Sequence, residues 1–206
     1  MILIAPNGTY LEMGTGDSVA SALMAAARGA EKTYLVDVGS FATRDMGFYK
    51  NLAEALKSED TSFSVEVSEE MSLEDMLGIC NAEYLTSGLQ SLKKIEDGTV
   101  DFIWSHATLE HVRKHEFTET MKETFRILRP GGVASHNIDF KDHLGGALNN
   151  LRFRENIWEA EWMAAGSGFY TNRIRPHEIV EIFKGCGFVI DYMEKGRWDE
   201  LPTPKK

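Results

Sequence analysis

The chain has 206 residues, 43% of them hydrophobic, which fits one α/β domain with a single core and excludes two large domains. Its 32 acidic residues against 22 basic ones give a net charge of -10, which disfavours nucleic acid and anionic membranes as partners because phosphate groups are repelled. No apolar run reaches the roughly 20 residues of a membrane span, and no signal-peptide pattern opens the sequence, so we expect a cytoplasmic protein.

The N-terminal half alternates short β-forming runs with helical patterns, which is typical of βαβ units around a mostly parallel sheet. Its predicted strands are 9–13, 33–36, 63–67 and 83–86. Its predicted helices are 19–28, 46–57 and a short one that begins after Ser72. Gly29 can end the first helix, apolar residues three and four apart make the second amphipathic, and Asp75 completes a capping box with Ser72.

The C-terminal half continues this alternation. Its predicted strands are 100–105, 133–138 and 188–193, and its predicted helices are 116–128 and one that begins at Pro176. The nearly unbroken β-forming run over 100–105 is typical of a central strand covered on both faces. Pro130 cannot continue a helix, and Gly131-Gly132 permit a tight turn into the next strand.

The turn after the first predicted strand contains the glycine-rich segment Gly14–Gly16, where the backbone can approach a ligand closely. Asp37 ends the second strand, where an acid can accept hydrogen bonds from ribose hydroxyls. A dinucleotide fingerprint would place a third glycine where this chain has Val19, and Glu12 and Asp17 would repel a pyrophosphate. An ammonium and a sulfonium suit these carboxylates better, which favours S-adenosylmethionine over NAD.

Two cysteines, Cys80 and Cys186, lie far apart with neither a CxxC pair nor a matching histidine spacing. We therefore expect reduced thiols. The sequence gives no reason to predict a disulfide or a zinc site.

Three segments together resemble the class I S-adenosylmethionine-dependent methyltransferases: Leu11–Gly16, Asp101–Val112 and Ile127–Val133. They occur in the family's order and spacing and cover roughly residues 9–139. The resemblance implies a Rossmann-like, doubly wound, three-layer α/β fold. The short segments before 9–13 and after 188–193 mean that the sheet could lack the seventh strand, and we expect residues 1–206 to form one domain.

The resemblance also implies roles for individual residues. It places Glu12, Gly14 and Gly16 at the methionine part of the cofactor, Asp37 at the ribose hydroxyls, and Ser105 and His106 beside the methyl-transfer site. The residues predicted to bind the cofactor are Glu12, Gly14, Thr15, Gly16, Asp37 and Ser105. Asp17 departs from the family's usual glycine, and 86–88 lacks the acid that often meets the adenine.

Methyl transfer from a sulfonium requires an aligned acceptor, exclusion of water and, for some acceptors, a base. Candidate bases follow the carboxyl ends of the fourth and fifth predicted strands, where open α/β sheets bind ligands. The predicted catalytic residues are His106, His136 and Asp139. A structural role is the alternative for His136 and for His111, and the spacing of His136, Asp139 and His143 does not fix a common face, so we predict no metal.

The segment 140–173 is a lid-like insertion rich in aromatic residues and arginines. Its residues predicted to contact the substrate are Tyr170, Asn172, Arg173 and His143. Guanidinium groups bind carboxylate or phosphate, so an anionic small molecule is one hypothesis for the acceptor. The alternative is that the aromatic residues form core and the arginines offset neighbouring glutamates.

Two other functions compete with methyl transfer to a small molecule: an NAD-dependent oxidoreductase, and a binding protein of the same fold without turnover. The short segments at both ends of the sheet also suggest two readings. An exposed sheet edge could pair with a second copy to form a homodimer, or the gene could be truncated.

Overall fold

The computed structural model describes residues 6–59 and 63–200. The strands are β1 (Thr9–Met13), β2 (Lys32–Val36), β3 (Ala82–Leu85), β4 (Val100–His106) and β5 (Leu128–Asn137). The helices are α1 (Ala20–Ala26), α2 (Met46–Glu59), α3 (Leu73–Ile79), α4 (Leu89–Leu92), α5 (Lys114–Ile127), α6 (Glu155–Trp158), α7 (Glu161–Ala164) and α8 (Pro176–Cys186). None of the helices in these two ranges is both long and apolar enough to cross a membrane.

The five strands form one sheet in the order β3-β2-β1-β4-β5. The pairs β1–β2, β1–β4 and β2–β3 are parallel, and Leu11 lies opposite Tyr34 on one side and Ile103 on the other. The order reverses direction at β1, and this switch point is where open α/β sheets bind ligands, outside the carboxyl ends of their strands. The predicted Rossmann-like α/β fold is confirmed.

Contacts between Cα atoms divide the chain into two compact units. The first contains the described residues up to His106 together with Arg126–His136, and the second contains Ala107–Phe125 and the described residues from Asn137 onward. The single domain expected from the sequence stays a prediction, as does the lid function of 140–173.

The first unit is organised around a core that α1, α2, α3 and the neighbouring strands share. Leu23, Tyr49 and Met76 are fully buried in it. The Tyr49 hydroxyl accepts a hydrogen bond from the backbone N–H of Val19 and donates one to the Thr43 carbonyl, which satisfies its polar atom within the core. This packing fixes the start of α1 directly after the glycine loop.

The predicted strand over 63–67 is wrong, because the described residues there are irregular. Phe63 is buried and Val65 and Val67 pack against the core of the first unit. The alternation of apolar residues that suggested a strand therefore reflects side chains inserted into a core, without the backbone pairing that defines a strand.

The predicted strand over 188–193 is also wrong. Phe188 packs against Phe125 and Phe183, but Val189 and Tyr192 are 83% and 79% exposed. A β-forming composition produces a strand only where a neighbouring strand supplies backbone partners, and no described strand pairs with this segment. The sheet within the described ranges therefore ends at β5, without a sixth or seventh strand.

The remaining strands and helices lie close to their predicted positions, with one difference at β5. This strand begins at Leu128 instead of residue 133, and it contains the predicted turn. Gly131 has a positive φ of 81°, a conformation that glycine adopts without strain, so the predicted turn becomes a bend within β5.

The second unit has its own core around Trp158, Met163 and Tyr170. The indole N–H of Trp158 donates to the Thr171 carbonyl at 2.6 Å. Asp142, which is 1% exposed, accepts hydrogen bonds from three backbone N–H groups, those of Leu144, Ala147 and Asn150. A carboxylate held by three donors organises the turn over 142–150.

Candidate functional site

The glycine loop after β1 has the backbone geometry that only glycine adopts without strain. Gly14 and Gly16 have positive φ values of 77° and 59°. A Cβ added at Gly16 would meet no atom of the protein within 4 Å. The loop therefore borders open space at the point where β1 turns towards α1, as a loop that receives a ligand requires.

Asp37 follows β2, and its carboxylate joins the glycine loop. Its Oδ2 accepts hydrogen bonds from the Gly16 backbone N–H at 3.0 Å and from the Thr15 hydroxyl at 3.3 Å. Its Oδ1 accepts from the Val38 backbone N–H at 2.7 Å. The structure thus brings together the acid and the loop that the sequence predicted to share one ligand.

Glu12, near the carboxyl end of β1, is held by two side chains that the sequence analysis did not identify. Its carboxylate accepts hydrogen bonds from the Ser21 hydroxyl and from the Trp104 side chain. Burial raises the pKa of Glu12, and these two hydrogen bonds oppose that effect. Trp104 lies directly opposite Glu12 in the β1–β4 register, so only the strand pairing could have revealed this contact.

An apolar surface lies next to Asp37, and it was also missed. Val38 is 76% exposed. The Gly88 backbone N–H donates to the Asp37 carbonyl at 2.8 Å, and a Cβ added at Gly88 would lie 3.1 Å from Val38 Cγ1. Gly88 therefore lets the chain after β3 approach the residue after β2, and the two leave an exposed aliphatic side chain beside the acid.

Ser105, which is buried, and His136, which is half-buried, form a pair at neighbouring strand ends. The Ser105 side chain is hydrogen-bonded to His136 Nδ1 at 2.8 Å. Burial lowers the pKa of His136 to about 4, so this imidazole is neutral at physiological pH and is a weak base. His106, one residue beyond Ser105, is exposed at the end of β4.

Asp139 lies in the second unit, beside a buried carboxylate that the sequence analysis did not single out. The Asp139 backbone N–H donates to Glu110 Oε1 at 3.2 Å, and Asp139 Oδ1 accepts from the Lys141 backbone N–H at 2.9 Å. Glu110 is 3% exposed, and burial raises its pKa. Because its neighbours include the polar residues Thr108 and His111, no apolar run in the sequence marked Glu110 as a buried residue.

Three of the four residues predicted to contact the substrate form hydrogen bonds within the second unit instead. The Tyr170 hydroxyl donates to Glu159 and accepts from the Lys114 backbone N–H. The Asn172 amide donates to the carbonyls of Leu109 and Val112. Contact of these side chains with a substrate stays a prediction, and their observed role is to fasten the backbone.

Arg173 is similarly engaged. Its guanidinium, with a side chain 7% exposed, donates to the carbonyls of Asn150 and Phe153, pairs with Glu155 and lies over the Trp158 ring at 5.3 Å. Binding of an anionic substrate by Arg173 also stays a prediction. His143, the fourth predicted substrate residue, is exposed.

The absence of a metal site, which we expected from the sequence, stays a prediction. Across residues 6–59 and 63–200, no group of three or more His, Cys, Asp or Glu side chains could hold a metal ion. The donors around the glycine loop instead suit an organic ligand. Carboxylates can accept hydrogen bonds from hydroxyls and attract positively charged groups. A glycine without a side chain lets a ligand approach the backbone closely.

The chain is similar to solved structures of the same fold. It aligns with a chain of the complex formed by the Haloferax volcanii Trm112 methyltransferase activator (17% identity, TM-score 0.52, covering 91% of this chain and 64% of that one). It also aligns with an arsenic(III) S-adenosylmethionine methyltransferase from Chlamydomonas reinhardtii (12% identity, TM-score 0.53, covering 91% of this chain and 54% of that one). At these identities the likeness shows the fold alone, and the chain spans about half to two thirds of the length of these proteins.

No curated protein matches the chain. The family described as "Methyltransferase domain" matches residues 11–135, which is more than half of the sequence and includes the end of β1, the glycine loop, Asp37 and the strands β2 to β4. The chain therefore belongs to this family of class I S-adenosylmethionine-dependent methyltransferases, whose cofactor is S-adenosylmethionine.

Proposed function

We propose that this protein transfers the methyl group of S-adenosylmethionine to a small-molecule acceptor. The observation that carries the proposal is the hydrogen bond between the Gly16 backbone N–H and the Asp37 carboxylate, in a loop that borders open space at Gly16. An adenosyl ligand needs an acid for its ribose and a backbone without side chains for its amino-acid part, and both are present in the first unit.

The proposed cofactor contacts follow from this geometry. Asp37 accepts hydrogen bonds from the ribose hydroxyls, and Val38 offers its exposed aliphatic side chain to the adenine. The loop Gly14–Gly16, including Thr15, lies along the methionine part, with Glu12 near its positive charge. When bound, the cofactor supplies a methyl group on a sulfonium, which is an electrophile that needs no further activation.

The proposed acceptor contacts begin at the carboxyl ends of β4 and β5. In the first unit, His106 is exposed and can orient an acceptor. A catalytic role for Asp139, in the second unit, stays a prediction from the sequence. Burial lowers the pKa of His136 and keeps the ring neutral, and Ser105 is hydrogen-bonded to its Nδ1, which supports a positioning role for this pair. The acidic surface favours small molecules over nucleic acid, while an anionic acceptor and a homodimer remain hypotheses from the sequence.

The decisive experiment is calorimetric titration of the purified protein with S-adenosylmethionine, S-adenosylhomocysteine and NAD. We expect binding of the two adenosyl ligands and none of NAD. Release of S-adenosylhomocysteine in the presence of a panel of small phenols and amines then measures turnover. Binding without release from any panel would instead support a binding protein of the same fold, and absence of binding would remove the proposal.

A further inference from the structure

The irregular segment 38–42, which follows β2 and Asp37, is held by the side chain of one tyrosine from β3. We call this segment the 38–42 loop. The Tyr84 hydroxyl donates a hydrogen bond to the Gly39 carbonyl at 3.0 Å. It also accepts hydrogen bonds from the backbone N–H groups of Phe41 at 3.0 Å and Ala42 at 3.4 Å. A phenolic hydroxyl can donate and accept at once, so this single group joins the two arms of the loop.

The ring that carries this hydroxyl has a fixed support. Tyr84 lies opposite Leu35 in the parallel pairing of β2 and β3, and its ring packs against the core of the first unit. Leu35 is fully buried in that core. An aromatic ring anchored by packing presents its polar end with little freedom left to lose. The 38–42 loop is therefore fastened to the sheet itself.

Both ends of the loop are fastened by other bonds. At its start, the Asp37 carbonyl accepts from the Gly88 backbone N–H at 2.8 Å. At its end, the Thr43 backbone N–H donates to the carbonyl of Asp17, beside the glycine loop, at 2.7 Å. Loss of the Tyr84 hydroxyl would leave these end contacts in place. It would release the part of the backbone that lies between them.

Val38 is the side chain whose placement depends on this support. It lies between Asp37 and Gly39, whose carbonyl is bonded to Tyr84, and it is 76% exposed. A ligand that packs against a mobile loop must order it, and the conformational entropy lost in doing so lowers the affinity. A loop that is ordered before binding avoids this loss.

We propose that Tyr84 is a positioning residue for cofactor binding, whose hydroxyl holds the 38–42 loop so that Val38 is in place for the adenine before S-adenosylmethionine binds. Tyr84 acts through the loop and needs no contact with the cofactor. The inference rests on the proposed function and adds to it a residue that sets the affinity for the adenosine end. All of the groups involved belong to the first unit.

The first test measures the loop itself. Tyr84→Phe retains the ring in the core and removes only the hydroxyl. We expect amide hydrogen exchange at Phe41 and Ala42 to become about 10-fold faster, and saturating S-adenosylmethionine to slow it again. The matched control is Tyr34→Phe, a half-buried tyrosine of β2 whose ring lies under Lys32, and it should leave these amides unchanged. Exchange that stays slow in Tyr84→Phe would overturn the proposal.

The second test asks whether Tyr84 acts through Val38. In calorimetric titrations, S-adenosylmethionine should bind to Tyr84→Phe about 10-fold more weakly than to the unmodified protein. Val38→Ala removes the side chain that the loop presents. In that background, the further change Tyr84→Phe should therefore cost much less affinity. Additive losses in the double variant would overturn the proposal, because Tyr84 would then act independently of Val38.

The outcomes distinguish this inference from the proposed function. Unchanged affinity in Tyr84→Phe would overturn the inference, while cofactor binding and methyl transfer would stand. An equal loss of affinity in Tyr34→Phe would also overturn it, since the effect would then reflect general stability of the sheet. A failure of the unmodified protein to bind S-adenosylmethionine would remove the proposed function, and the inference with it.

Discussion

The carboxylate of Asp37 and the backbone N–H of Gly16 are joined by a 3.0 Å hydrogen bond, although 21 positions separate them in the sequence. The bond connects the end of β2 to the loop after β1. Gly16, Thr15 and Val38 occupy three of the roughly four acceptor positions of the Asp37 carboxylate, so two ribose hydroxyls can bind it together only by sharing or replacing one of these contacts. Cofactor binding and loop conformation are therefore expected to be coupled.

Replacing Asp37 tests the ribose contact. Asp37→Ala should weaken S-adenosylmethionine binding by about 1–3 kcal/mol, the range for a lost hydrogen bond to a charged group, as measured by calorimetry. Glu54→Gln, an exposed acid of α2, is the control for a change of charge in the same unit. Equal affinities in Asp37→Ala and the control would exclude the ribose role.

Replacing Gly16 tests whether the open space beside the loop is the cofactor site. Gly16→Ala should lower the free energy of unfolding by about 1–2 kcal/mol, because its φ of 59° is strained for alanine. Gly131→Ala is a matched control, since Gly131 also has a positive φ and open space around a built Cβ. Both variants should lose similar stability in urea unfolding, but only Gly16→Ala should lose cofactor affinity. Equal affinity in the two would place the ligand elsewhere.

The sequence predicted the sheet well where local pattern and tertiary pairing agree. β1 was predicted with its observed bounds, and β4 with one residue fewer, because both strands are central and their apolar runs are buried by neighbours. The strand predicted over 188–193 failed for the opposite reason. Its β-forming residues have no neighbouring strand, and pairing is a tertiary property that composition does not encode.

The candidate site was also predicted only in part: the residues with a recognisable sequence pattern were found, and those defined by tertiary contacts were not. Asp37 and the glycine loop carry a family pattern, and the structure joins them. Glu110 is recognisable only after folding, when its burial and its contact with Asp139 become visible. Arg173 was predicted from its charge to bind a substrate, but charge alone does not reveal that backbone carbonyls occupy its N–H groups.

Replacing His106 tests whether this residue, at the end of β4, orients the methyl acceptor. His106→Ala should lower turnover on the order of 10- to 100-fold, because a misplaced acceptor reacts slowly, while the affinity for S-adenosylmethionine stays nearly unchanged. Steady-state kinetics and calorimetry on the same preparation give both quantities. His177→Ala removes another exposed histidine and serves as the control. Parallel losses of turnover and cofactor affinity would assign His106 to the fold instead.

Arg173 should contribute to stability. Arg173→Ala removes the guanidinium donor to the Phe153 carbonyl and one of the two donors to the Asn150 carbonyl, and the loss of these hydrogen bonds costs about 1–3 kcal/mol. Urea unfolding followed by Trp fluorescence measures this loss. Arg152→Ala is the control, since its side chain is exposed. An Arg173→Ala protein as stable as this control, but unable to bind an anionic acceptor, would support the substrate role predicted from the sequence.

His136 should make the stability of the protein depend on pH. The unfolded chain protonates this histidine near pH 6.5, whereas burial lowers the pKa in the folded protein to about 4. Between these values the unfolded state binds more protons. The stability contributed by the neutral, buried ring is therefore fully present above pH 6.5 and is lost as the pH falls through 4.

The loss amounts to about 3.5 kcal/mol at most, because the pKa falls from 6.5 to about 4 and each pKa unit corresponds to about 1.4 kcal/mol. Urea unfolding of the unmodified protein and of His136→Gln, each at pH 7.5 and pH 4.5, separates this contribution from the carboxylates that titrate in both. The unmodified protein should lose more stability on acidification than the variant, and His177→Gln should follow the unmodified protein. If His136→Gln loses as much stability as the unmodified protein, the imidazole that bonds to Ser105 is not held neutral by burial, and it regains its place among the candidate bases.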